Sequence, residues 1–352
     1  MTKISFFQPT KKHYLSFFKW IFFLLIVIYH SLFLFTKPAF LSQLAYTVYD
    51  YIPFLVDCFF VISGFLLARS FYIFKPSIAT YISKRLLDFV PTLLLFWLIF
   101  ALIGKLGWVQ ANLTRGFTDV LGLPIFGVLL VNNQLNYTWF LYTLFWCNVF
   151  FLLLLSLKKF APFLIIPILI STGFILSSYW IEGNVISPTP YDNLPISFGL
   201  FRGIFASSIG ILITYLVRFT PSFIQKSPFL FYVLGLLEAT LIILALLMAS
   251  QLTAKEIYIN GLSLFGLLLF SLSFENSPLF KVLNQKIFSY GSSFLLGGYI
   301  FSAISIAFMA QILVKYPAFT SYGNSVYIAV ILISLSFGAL CQLITQQLKK
   351  KL

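Results

Sequence analysis

Charge is what this chain has least of. Only 9% of its 352 residues are charged and 60% are hydrophobic, whereas a soluble domain carries about 25% charged residues. That scarcity, with a mean hydropathy of +0.99, excludes a globular domain built around a water-facing surface. Acids are scarcer than bases, nine against 23, which leaves a net charge of +14. The excess does not point to nucleic acid, because the bases sit between apolar runs rather than on one soluble face. Cysteine is also sparse. Cys58, Cys147 and Cys341 all fall inside apolar runs and offer neither a disulfide framework nor metal-ligand spacing. The two histidines, His13 and His30, lie in different surroundings, so no metal site is expected. No internal repeat, soluble domain, long linker or cleavable signal peptide is legible, and the first apolar run reads as a retained span. The N-x-T triplets at Asn112 and Asn136 read as chance matches, since they matter only in a secreted setting.

What is present is a series of long apolar runs. They lie near 15–36, 51–70, 86–106, 138–157, 161–180, 196–217, 228–250, 257–273, 287–313 and 325–347, each long enough to cross a hydrocarbon core of about 30 Å as a helix. The shorter run 121–131 reads as a re-entrant or interfacial piece. Basic residues favour the cytoplasmic side of a membrane. With the N-terminus inside, the inner segments hold Lys3, Lys11, Lys12, Lys19, Arg69, Lys75, Lys84, Arg85, Lys158, Lys159, Arg218, Lys226, Lys281, Lys286 and Lys349 to Lys351, while the outer loops hold only Lys37, Lys105, Arg115, Lys255 and Lys315. The expected fold is therefore an all-α polytopic bundle of about ten transmembrane helices, N-in and C-in. It forms one domain over 1–352, with basic cytoplasmic tails at 1–14 and 348–352.

Within this apolar background a few ionisable residues stand out, and such residues mark functional sites by default. His30 lies deep in the first run, and Lys19 precedes it by eleven residues. Eleven helical steps turn the chain by roughly 1100°, about 20° from three full turns, so the two share one face about 16 Å apart along the axis. One face thus carries a cation at the membrane edge and a proton-transfer group far deeper, which suits chemistry joining the two sides of a membrane. Asp57 enters the second span at the depth expected for His30. Arg202 lies about two turns inside the sixth span, and Glu238 is buried in the seventh.

Residues 56–65 read VDCFFVISGF. With Lys19 and His30, this segment resembles the membrane acyltransferase type 3 family, which includes surface-polysaccharide O-acyltransferases. That family opens with a basic residue, ten intervening residues and a histidine. The resemblance continues in order: KRLLDFVPTLLL with Arg85 and Pro91, a WFL start to the fourth span at Trp139, Phe140 and Leu141, FRGIFASSIGILI with Arg202 and Gly210, and SYGSSF around Gly291 and Ser293. Two departures are visible. The usual arginine at the first position is Lys19, which binds phosphate as a point charge rather than bidentately. The histidine that many members carry in the ninth span is replaced in a region holding Tyr299 and Ile300.

The resemblance implies an integral-membrane O-acyltransferase, with acyl-CoA, acetyl-CoA first, as co-substrate and no bound cofactor. The acceptor is a hydroxyl of a cell-surface glycan (lipopolysaccharide O-antigen, capsule or exopolysaccharide) or a lipid-linked sugar, and the protein sits as a multi-pass protein in the inner, plasma membrane among its lipids. Lys19 and Arg85 are then expected on the phosphates of the donor. His30 is expected to take the hydroxyl proton as general base or to carry the acyl group covalently. Asp57 either orients the imidazole, as the third member of a catalytic triad does, or pairs with another buried cation such as Arg202. Ser63, Trp139 and Arg202 are expected along the substrate path, with Gly64 permitting close helix packing. The rival reading is a glycan transporter or exporter, because buried charges also mark substrate routes.

Overall fold

The structure is a computed structural model that describes residues 13–31, 52–105, 139–180, 198–221, 227–251, 254–292, 294–318 and 324–351. The regular structure of those residues is helical throughout. In chain order the helices are α1 (His13–His30), α2 (Ile52–Phe74), α3 (Ile78–Lys105), α4 (Trp139–Ser156), α5 (Ala161–Trp180), α6 (Phe198–Phe219), α7 (Pro228–Gln251), α8 (Ala254–Ser271), the short α9 (Pro278–Leu283), α10 (Leu295–Lys315) and α11 (Asn324–Lys351). Helix is the form such apolar runs must take in lipid, because every backbone polar group then finds its partner within the segment. Seven of these helices contain a stretch long and apolar enough to cross a membrane, in α1, α2, α4, α6, α7, α10 and α11. The protein is thus an all-α, polytopic membrane protein. Shorter apolar stretches occupy Ala161–Ser177 of α5 and Asn260–Ser271 of α8, and the first half of α3 carries Lys84 and Arg85.

Helix boundaries depart from the apolar runs where local chemistry intervenes. The helix expected to run from 15 to 36 closes at His30. There Ser31 shares its N–H between the carbonyls of Val27 (3.0 Å) and Ile28 (3.1 Å), and its hydroxyl donates back to Val27 (2.7 Å), a tightening typical of helix ends. The span expected from 287 becomes an α-helix only at Leu295. Before it come a 3₁₀ turn at Lys286–Ser289 and Gly291 at φ +70°, a left-handed conformation that only glycine adopts without steric cost. At its start α3 is capped by Ser77, whose hydroxyl accepts from the Thr80 N–H (3.1 Å). The run 121–131 lies outside the described residues.

Two closely packed helix pairs organise the bundle. Lipid offers no hydrophobic drive for helices to associate, so small residues that let backbones approach carry the packing. In the first pair, Gly64 of α2 lies on the Ser207 backbone of α6, and Gly210 of α6 lies on the Val61 carbonyl of α2; a Cβ at either position would collide with that backbone. The Thr214 hydroxyl adds a bond to the Phe65 carbonyl (3.1 Å). In the second pair, Gly297 and Gly298 of α10 face Gly338 of α11. Helix α1 touches α2 and both members of the second pair. It also runs beside segment 284–298: the His13 N–H donates to Asn284 Oδ1 (2.7 Å), Phe17 meets Phe288 edge-on (4.9 Å), and Trp20 Nε1 donates to the Tyr290 carbonyl (3.2 Å).

Glu238 has a structural setting that the apolar run around it does not reveal. It is 2% exposed and accepts from the hydroxyls of Ser271 (2.6 Å) and Ser277 and from the Leu279 N–H (3.0 Å). The carboxylate therefore ties α7 to the end of α8 and to the first turn of α9. Ser277 in turn caps α9 by accepting from the Phe280 N–H (3.0 Å).

Candidate active site

A cavity of about 330 Å³ opens between α1, α2, α3, α4, α10 and α11. Lys19 of α1 and Arg85 of α3 both line it, although they lie 66 positions apart in the chain. Arg85 is steadied by its own helix: its Nε donates to the Tyr81 hydroxyl (3.1 Å) and its guanidinium lies over that ring, 5.2 Å from the centroid. Ser292, from the loop after Gly291, and Gln342 of α11 also line the cavity.

From Lys19 the cavity follows one face of α1. Phe23 and Ile26 line it, at four and seven residues beyond Lys19, so the lined stretch rises about 10 Å. His30 comes one turn after Ile26, at eleven residues, on the same face. It is half-buried, with its ring edge-on to Tyr29 at 5.0 Å. The cavity lining thus ends about one turn short of the imidazole's helical position. On α2 the cavity is lined from Leu66 through Ser63 and Ile62 to Phe59 and Val56, one face at helical spacing, spanning about 15 Å. Ser63 is held by a 3.0 Å hydrogen bond to Asn148 Oδ1 of α4.

Asp57 and Arg202 meet in a buried pair. Arg202 Nε donates to Oδ2 (3.0 Å) and its Nη2 to Oδ1 (3.1 Å), and the side chains are 0% and 2% exposed. The guanidinium also lies over Trp139, 5.2 Å from the ring centroid. Both carboxylate oxygens of Asp57 therefore serve Arg202, the alternative partner anticipated from sequence. Of the residues expected on the substrate path, Ser63 lines the cavity. Trp139 and Arg202 form a separate cluster with Asp57; Val56, next to Asp57 in the chain, and Phe140, next to Trp139, do line the cavity.

Sequence reasoning missed Thr92, Asn148 and Gln342, because one polar residue in an apolar helix carries no sign of which neighbour it faces, and Ser292, which lies in the turn before α10 rather than in a helix. It noted Tyr299 only as the replacement of a histidine, and the structure makes it cavity-lining. Among the described residues no cluster of metal-ligating side chains occurs.

Comparison with known proteins bears directly on this geometry. The model of the acyltransferase type 3 family, described as an acyltransferase domain, matches residues 12–342. The chain belongs to that family. It is accordingly a membrane acyltransferase acting on a surface glycan. Membership implies an acyl-CoA co-substrate and a glycan or lipid acceptor in general terms. No curated protein and no solved structure matches the acyltransferase significantly.

Proposed function

We propose that this acyltransferase moves an acetyl group from cytoplasmic acetyl-CoA to a hydroxyl of an O-antigen, capsular or exopolysaccharide glycan at the outer side of the inner membrane. In this reading the ten helices of 18 residues or more cross the bilayer with both termini inside. The single observation that carries it is the shared cavity of Lys19 and Arg85, with His30 one turn beyond the lining on the Lys19 face.

The donor's phosphates rest on the two cations at the Lys19 end. A lysine and an arginine from different helices attract phosphate from two directions. The thioester arm lies along the groove made by Phe23, Ile26, Ile62 and Leu66. Its acyl end points towards His30, whose imidazole takes the proton of the attacking hydroxyl. The hydroxyl oxygen bonds to the thioester carbonyl carbon, the C–S bond breaks, and CoA leaves as the thiol once it receives a proton. The apolar walls keep out water, which otherwise competes as acceptor. Asp57 enters as the counter-ion that holds Arg202 at the His30 end of α2 rather than as the group orienting the imidazole.

The test is the O-acyl content of surface glycans, read by NMR in a deletion strain complemented with wild type or with His30→Ala, with membrane insertion of both checked. Removing a general base costs about 10²–10⁴-fold in rate, so the ester signals should return with wild type and not with the variant. Equal ester signals from both would refute the role of His30. Lys19→Ala and Arg85→Ala should raise KM for acetyl-CoA more than they lower kcat, since they hold ground state and transition state alike.

A further inference from the structure

The face that α2 turns to the cavity has one polar interruption. Leu66, Ser63, Ile62, Phe59 and Val56 line the cavity from that helix, and of these five only Ser63 has a hydrogen-bonding side chain. It is half-buried, and its hydroxyl donates to Asn148 Oδ1 of α4 at 3.0 Å. Asn148 is 3% exposed and does not itself line the cavity. A serine hydroxyl has one proton and two lone pairs. With the proton given to Asn148, what Ser63 offers the cavity is an acceptor.

We infer that Ser63 accepts a hydrogen bond from an amide N–H of the donor's thioester arm, and that Asn148 is a positioning residue that sets this polarity by taking the hydroxyl proton. The inference rests on the donor-binding reading above and deepens it by naming what recognises the arm. In that reading the arm passes Ile62 and Leu66, and Ser63 stands between them on the same helix face. The arm of coenzyme A carries two amides, each with an N–H. Drawn in among Phe23, Ile26, Ile62 and Leu66, such an N–H loses its water, which is costly unless an acceptor meets it. The carbonyls within the surrounding helices are engaged in their own ladders, so on this face of α2 the acceptor is a side-chain oxygen. A hydroxyl free to rotate would meet N–H and C=O alike. One committed to Asn148 selects the N–H.

The experiment uses membranes from cells that make the acceptor glycan, supplied with acetyl-CoA labelled in the acyl group. Two labelled analogues are run beside it, each with CH₂ in place of one of the two arm N–H groups. Label is counted in the glycan fraction for wild type, Ser63→Ala and Asn148→Leu. In wild type, one analogue should show kcat/KM about tenfold below acetyl-CoA. In Ser63→Ala acetyl-CoA should fall to the level of that analogue, through a higher KM, while the analogue itself is little changed. Asn148→Leu, which leaves Ser63 in place but frees its proton, should narrow the preference at least about threefold. Each ratio is taken within one preparation, so a smaller folded fraction cancels and a merely structural role leaves it unmoved. Wild type that uses both analogues as well as acetyl-CoA overturns the proposal and leaves the donor reading standing. So does a preference that survives Ser63→Ala, or one that Asn148→Leu does not narrow. No label from any of the three donors, in membranes whose glycan is esterified in the living cell, overturns the donor reading and this proposal with it.

Discussion

Removing Asp57 should damage the protein more than almost any other single change, and removing Arg202 with it should undo most of the damage. In Asp57→Ala, a guanidinium that is 2% exposed loses both of its hydrogen bonds to carboxylate oxygens. Breaking a buried ion pair on one side costs about 3–5 kcal/mol, against a total stability of about 5–15 kcal/mol for a typical domain. Trp139 also loses alignment, because the cation over its ring is no longer anchored from the other side. The expected result is a low folded yield and a clearly lower transition in a thermal melt followed by fluorescence-detected size exclusion. In Asp57→Ala with Arg202→Met, no charge remains to be satisfied, and replacing a buried pair by apolar groups is often neutral or stabilising. The double variant should melt close to or above wild type. Its activity then separates the two roles considered for Asp57. A counter-ion leaves glycan acylation within about tenfold of wild type, whereas a triad partner of His30 costs about 10⁴-fold. A single variant that melts like wild type, or a double variant as damaged as the single one, would refute the reasoning.

Two further outcomes follow from the packing. Cys341 lines the cavity while Cys58 and Cys147, both 0% exposed, do not; a small membrane-permeant thiol reagent should modify Cys341 first, and acetyl-CoA should protect it. Faster modification of Cys58, read by mass spectrometry, would speak against donor access to this cavity. Gly64→Ala should destabilise by about 1–3 kcal/mol or more, because its Cβ meets the Ser207 backbone, which has no side-chain freedom to yield. Gly235→Ala, whose Cβ would meet only the Pro278 ring at 3.3 Å, should be far milder; equal melts for the two would show that the α2–α6 approach is not close.

Much of the site was legible because its signals are local. The eleven-residue interval between Lys19 and His30 needs only the pitch of one helix, and α1 spans both residues as that interval requires. Gly64 was expected to serve packing, and it does. Other elements were not legible, for reasons that are equally specific. The late start of α10 depends on Gly291 turning left-handed beside Trp20, while the apolar run itself continues without a break. Glu238 carried no motif because its partners, Ser271, Ser277 and the Leu279 N–H, come from the following helices rather than from its own.

By itself the sequence determined the class of protein, the helical form of its spans, the family and the common face of Lys19 and His30. These follow from composition and from periodicity within one segment, which backbone satisfaction in lipid turns directly into helix. Only the tertiary structure decided that Arg85 joins Lys19 on one cavity and that Asp57 meets Arg202 across 145 residues. A helix has several faces, and its own sequence does not say which neighbour each one meets. That choice is made where backbones touch, at Gly64, Gly210 and Gly338, and a contact of that kind belongs to two helices at once.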